Sequence, residues 1–203
     1  MTNTIALLRT ESDYKSAAHD IASCVHTDRR LPDQVFKVVS QHFGLFDFDE
    51  IFEERFWGFL LKIAASYDDR QVTLEVVEPE ASYFKQHFGY FGAAVLDVMT
   101  GPAEYQRLFT HEPDNSPADA LRHSVNAISF CSPSHQWAVW AQRDIGVGSV
   151  VVADGSGLAS HVNGSRIRLF SADEALESLV APNFLAAGIP HAIIENLRKN
   201  YPS

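Results

Sequence analysis

Behind the capping oxygens of Thr10, Ser12 and Asp13, apolar positions Tyr14, Ala17, Ala18, Ile21 and Val25 recur at helical spacing and predict a helix over 12–26. Pro32 suits the first turn of a second helix, with Val35, Phe36, Val39 and Phe43 on one side and Gly44 just past its end. The segment FDFDEIFEERFWGFLLKIAASYDD carries the strongest helical period in the chain. Ile51, Phe52, Phe56, Phe59, Leu60 and Ile63 share one half of the wheel, while Trp57, Leu61 and Ala64 form a second stripe. A helix apolar on both sides packs on both sides, which puts this one centrally.

The period then shortens. QVTLEVVEP (71–79) is rich in β-branched residues and reads as a strand ended by Pro79. Its alternation sets Glu75 with Thr73, away from Val72, Leu74 and Val76, and so on the wetter face. Ala93 to Met99 reads as a buried strand, and a short helix fits around 80–87. Thr100-Gly101-Pro102 opens a helix to about Phe109, and Ser116-Pro117 opens another to about His123. AISF (127–130), WAVWAQR (137–143), VGSVVVAD (147–154) and RIRLF (166–170) are short runs divided by turn residues, the pattern of an antiparallel meander over about 127–170. Ser171 starts a helix through Leu179, and Pro190 opens the last one, to Asn200. With no repeat or linker, the order predicts one α+β domain over 1–203: a helical first part over about 1–66, a mostly antiparallel sheet, then C-terminal helices.

Composition adds a core and a charge. Among 203 residues, 46% are hydrophobic, with 14 Phe and 3 Trp, enough to fill a sizeable interior. The formal net charge is −10, and residues 1–120 carry all of the excess: 20 Asp and Glu against 10 Lys and Arg, whereas residues 121–203 hold 6 of each sign. Such a surface repels phosphate backbones, excluding nucleic acid as the expected partner, and attracts a basic protein. The N-terminus lacks the long apolar core of a signal peptide, no run reaches the length of a membrane span, and Cys24 and Cys131 form no CxxC pair. Those features predict a cytoplasmic protein.

The densest collection of chemically active side chains is CSPSHQWAVWAQRD (131–144). Cys131 and His135, separated by Ser132-Pro133-Ser134, make a candidate nucleophile and base at a hairpin corner. The same residues also read as a turn and strand, with Cys131 as a small buried filler. In that strand Trp137 and Trp140 lie on opposite faces, so one is expected in the core and the other half-exposed. Trp137, Trp140 and Arg143 are then candidate interface anchors. Glu50, Glu53 and Glu54, with Asp47 and Asp49, gather at a helix start. There they satisfy the helix dipole or form an acidic docking face. Glu75, Glu78 and Glu80 supply carboxylates, but acid–base work needs a cleft that raises a pKa. His19, Cys24 and His26 complete no metal motif, Ser156 in DGSG lacks the nucleophile elbow, and the glycines match no phosphate-binding loop. Neither metal nor cofactor is expected.

YFKQHFGYFGAAVLDVM, SPADAL and ISFCSPSHQWAVWAQRDIGVGSVVVAD together resemble bacterial polymorphic-toxin immunity proteins and related uncharacterised families: an aromatic-glycine segment, then a small meander carrying SPS..W..W..R, over roughly 80–154 of an acidic chain. The resemblance implies a non-enzymatic inhibitor that binds and blocks a toxin enzyme made by the same or neighbouring cells. A small hydrolase using Cys131 and His135 is the second reading. A structural or oligomer-forming protein using Trp137 or Trp140 is the third.

Overall fold

A computed structural model of the chain describes residues 6–38, 42–113, 116–153, 158, 166–184 and 188–202. Six strands form one antiparallel sheet: β1 (His42–Asp47), β2 (Gln71–Glu78), β3 (Ala93–Asp97), β4 (Ala127–Cys131), β5 (Trp137–Gln142) and β6 (Val147–Val152), in the order β1-β6-β5-β4-β2-β3. The described residues also include seven α-helices: α1 (Glu11–Cys24), α2 (Glu54–Ser66), α3 (Ala81–Phe88), α4 (Pro102–Thr110), α5 (Leu121–Ser124), α6 (Ala172–Ala175) and α7 (His191–Asn200). Helices thus stand at both ends of an α+β chain, and β4-β5-β6 is a meander, as the turn-divided pattern predicts.

Both faces of the sheet are covered. Val72, Leu74, Val76, Ile128, Phe130, Trp137, Val139, Val150 and Val152 point into a core shared with α2 and α4. The alternate positions, among them Ala127, Cys131, Ala138, Trp140, Val147 and Val151, pack against α1, α6 and α7. Every residue of β4, β5 and β6 is therefore buried.

The central helix forms for the reason its two stripes give. Phe56 packs towards the sheet among Phe46, Phe59 and Phe130, with ring centroids 5.2, 5.8 and 5.8 Å away. On the other stripe Trp57 stacks on Tyr105 of α4 at 5.1 Å and donates its indole N–H to the Thr100 carbonyl at 2.7 Å. The helix starts later than its period implies. Phe48–Phe52 is a tight 3-10 turn capped by the Asp47 carboxylate, and α2 proper begins at Glu54.

Several expectations fail. The helix drawn from Pro32 to Phe43 does not form among the described residues of that stretch, and the first part is not wholly helical: His42–Asp47 is edge strand β1. The backbone of 31–38 finds distant partners instead. His26 N–H donates to Val35 O, Lys37 N–H to Cys24 O, and Leu31 N–H to the Gln142 side chain, so Leu31 reaches the core from a turn and Val35 and Phe36 from the non-helical stretch after it. Gly44 is a strand position, where a Cβ would stand 2.6 Å from Leu169. The proposed strand RIRLF adds only a single bridge, Phe170 to Leu45, and Val39 lies outside the described residues. Glu75 is not on a wet face: α1 crosses that side of β2 and leaves Glu75 only 8% exposed.

Candidate functional site

The 131–144 corner is a hairpin tied down from outside. Asp69, two residues before β2, accepts the Ser134 backbone N–H at 3.1 Å, the Ser134 hydroxyl at 2.9 Å and the Trp137 indole N–H at 3.0 Å. These bonds fix the β4–β5 turn against the neighbouring strand. The Cys131 thiol is fully buried and faces the thiol of Cys24 on α1; that contact and burial both push it well above the ordinary range. His135, in the left-handed region at φ 53°, turns its Nε2 to within 3.8 Å of Asp20 on α1. The thiol and the imidazole thus have different neighbours, the imidazole Nε2 makes no hydrogen bond, and the thiol stays protonated, the inert form.

The proposed interface anchors are interior residues. Trp137 and Trp140 are both fully buried, contrary to the expectation that one is half-exposed, because helices cover both faces of the sheet. Neither indole is available to a partner or to a second copy. Arg143 is half-buried over Phe48, its guanidinium 4.8 Å from the ring, and donates to the Val125 and Arg122 carbonyls at 2.7 Å each. It clamps the β5–β6 turn to the segment before β4. In the acidic group, Glu50 pairs with Arg55 in the first turn of α2, Nη2 to Oε1 at 2.8 Å. Glu53 is half-buried and Glu54 is exposed. Helix-start chemistry accounts for Asp47 and Glu50, which leaves a small acidic face there.

A cleft of about 550 Å³ lies between α1 and β2, lined by Tyr14, Ala18 and Ala22 from α1, Thr27 and Arg30 beyond it, Glu75, Val77 and Glu78 of β2, and Glu80 and Ala81. Glu75 forms its floor. The Tyr14 hydroxyl donates to Glu75 Oε1 at 2.9 Å, and Tyr14 is itself held by a near-parallel stack on Phe91 with centroids 4.2 Å apart. Burial raises the Glu75 carboxyl above its ordinary value, outweighing the hydrogen bond, and the same burial with Glu75 alongside raises the Tyr14 phenol further. At the rim Arg30 pairs with Glu78 at 3.1 Å, and Glu80 is exposed. Of the carboxylates noted in the sequence, Glu75 thus meets the condition it lacked, a cleft that perturbs a pKa. Tyr14 and Arg30 carry no motif, and only the placement of α1 across β2 brings them to Glu75.

Among the described residues no group of three or more metal-ligating side chains converges, and no helix is long and apolar enough to cross a membrane. Compared with known proteins, the chain matches no family model, no curated sequence and no solved structure.

Proposed function

We propose that the protein is a non-enzymatic binding protein of immunity or inhibitor type that docks a basic protein partner on its acidic first 120 residues. The observation that supports this most is the cleft: Glu75, Glu78 and Glu80, consecutive carboxylates of one strand and the turn after it, open onto one concave surface in a chain of net charge −10. Carboxylates gathered in a concavity focus a negative field, which speeds and orients the approach of a cationic surface. An inhibitor needs complementary surface rather than a reactive group. The binding reading is preferred to the hydrolase one because the Cys131 thiol is buried against Cys24, while His135 Nε2 lies 3.8 Å from Asp20.

Affinity capture from extract of the native cell, using the wild type and a Glu78→Gln/Glu80→Gln variant, tests the reading. A basic protein retained at low salt, released as salt rises past the screening range, and weakly held by the variant is the expected result. A partner held equally by both proteins at high salt would overturn it.

A further inference from the structure

We propose that the cleft between α1 and β2 is a binding site for a primary ammonium group carried on an aliphatic stem, with Glu75 as its counter-charge. The inference deepens the reading above, and its lysine form rests on that reading.

The cleft is more than a collection of acids. Glu75 is 8% exposed, which makes it a carboxyl group taken out of water with one hydroxyl as compensation. Oε1 is occupied by Tyr14, whose ring is locked against Phe91. Among the described residues Oε2 receives no donor. A carboxyl oxygen at the floor of an open cleft, reached by solvent and by no protein donor among the described residues, is placed to accept one from a ligand. Arg30 does not supply it. Its Nε donates to Glu78 and its Nη1 to the Thr27 and Arg29 carbonyls, at 3.1, 2.9 and 2.8 Å, and none of its hydrogen bonds goes to Glu75.

The single free oxygen selects the cation. A guanidinium binds a carboxylate best through two parallel hydrogen bonds and needs both oxygens, whereas an ammonium is a point donor that takes oxygens one at a time from separate groups. Glu75 Oε2 at the floor and Glu80 at the rim suit the ammonium. Ala18, Ala22, Val77 and Ala81 wall the cleft with small apolar surface, which a methylene stem covers and a second charge does not. With no converging set of metal-ligating side chains among the described residues, an organic cation fits better than a metal ion. Such a group comes from a lysine side chain of a protein partner or from a free aliphatic diamine.

Titration of the full chain with N-acetyl-lysine methylamide, 1,4-diaminobutane and N-acetyl-arginine methylamide, followed by amide NMR shifts, separates these cases. The lysine probe is expected to shift residues of α1 and β2 around the cleft with a millimolar dissociation constant. Glu75→Gln, which keeps an acceptor for Tyr14, should weaken it about tenfold or more while leaving the rest of the spectrum in place. The arginine probe should bind less well than lysine to the wild type, and Tyr14→Phe, by freeing Oε1, should narrow that gap. Calorimetry adds a readout that a purely structural role would not move. Ammonium binding favours ionised Glu75 over its protonated form, so the wild type should release a proton on binding at mildly acidic pH and Glu75→Gln should not. Tyr14 of α1, Arg30 after it, and Glu78 and Glu80 beside it are the other charged or titratable groups around that carboxyl, and none is altered in the Gln variant. Binding of the diamine alone supports the site and assigns a free amine as its ligand. Equal binding of the ammonium probes to wild type and Glu75→Gln, or no shift around the cleft, overturns the inference whatever the capture experiment yields. A basic partner captured through Glu78 and Glu80 in that event leaves the broader reading standing without the ammonium site.

Discussion

The Trp137 indole N–H donates to the Asp69 carboxylate at 3.0 Å, across a sequence separation of 68 residues and inside the core. Asp69 also receives the backbone and hydroxyl of Ser134, so one carboxylate holds both the hairpin turn and the first residue of β5. Removing it strands a buried indole N–H that has no other partner. Asp69→Ala should lower the unfolding free energy by about 2–3 kcal/mol, the cost of leaving buried donors unsatisfied. Asp69→Asn, which keeps one acceptor oxygen, should cost less. Chemical denaturation of the two variants measures the difference, and equal stability with the wild type would remove Asp69 from this role.

Phe56 stands at the junction of α2 and the sheet, fully buried and in ring contact with Phe46, Phe59 and Phe130. Phe56→Ala should cost about 3–5 kcal/mol, as large-to-small changes in a closed core do. Thermal and denaturant unfolding check this directly. A shift near zero would mean that α2 does not pack where the aromatic contacts put it.

At Gly148 a built Cβ would lie 2.2 Å from the ring of Phe46, its partner in the β1–β6 register. The Phe46 ring occupies the space beside the glycine on the α2 side of the sheet. Gly148→Ala should therefore destabilise by about 1–3 kcal/mol, the range for overpacking, although alanine normally suits a strand better than glycine. Combining it with Phe46→Leu should recover part of the loss, which a double-mutant cycle reads out.

Both cysteines are buried and their thiols face one another. A thiol reagent at neutral pH should label neither in the native protein and both after denaturation, because the thiolate is the reactive form and burial suppresses it. Rapid native labelling of Cys131 alone would revive the nucleophile reading.

Glu75 gives stability a pH dependence of definite sign. Its carboxyl is raised in the folded state relative to the ordinary 4.5, so the fold binds that proton more tightly than the unfolded chain does. The contribution is fully present below about pH 4.5 and is lost as the pH rises through the folded value. Glu75→Gln should accordingly be more stable than the wild type at neutral pH, with the gap closing as the pH falls towards 4.5. Paired denaturation curves across that interval test it, and a constant gap would place the carboxyl in water.

How much of this was legible in the chain varies with the range of the interaction. Local chemistry was readable: the Thr10 cap before α1, the double stripe of α2, Pro102 opening α4, the Ser171–Glu174 capping box before α6, and the turn-divided runs that became β4, β5 and β6. Each depends on neighbours within a turn or on alternation along a few residues. The segment from Leu31 to Lys37 carried a helical spacing, but its conformation was settled by bonds to Cys24, Gln142 and Tyr201, residues outside the segment.

Outside the 31–47 stretch, the sequence by itself determined most kinds of element and which side chains share a face, because those follow from backbone periods and the spacing of apolar residues. Only the tertiary structure decided which faces meet water. Helices on both sides of the sheet bury Trp137 and Trp140 alike, and α1 laid across β2 turns Glu75 from an expected surface carboxylate into the floor of a cleft. Alternation assigns a residue to a side of the sheet but not what covers that side, since the covering helix lies some sixty residues away in the chain and its contact leaves no mark on either segment's own pattern.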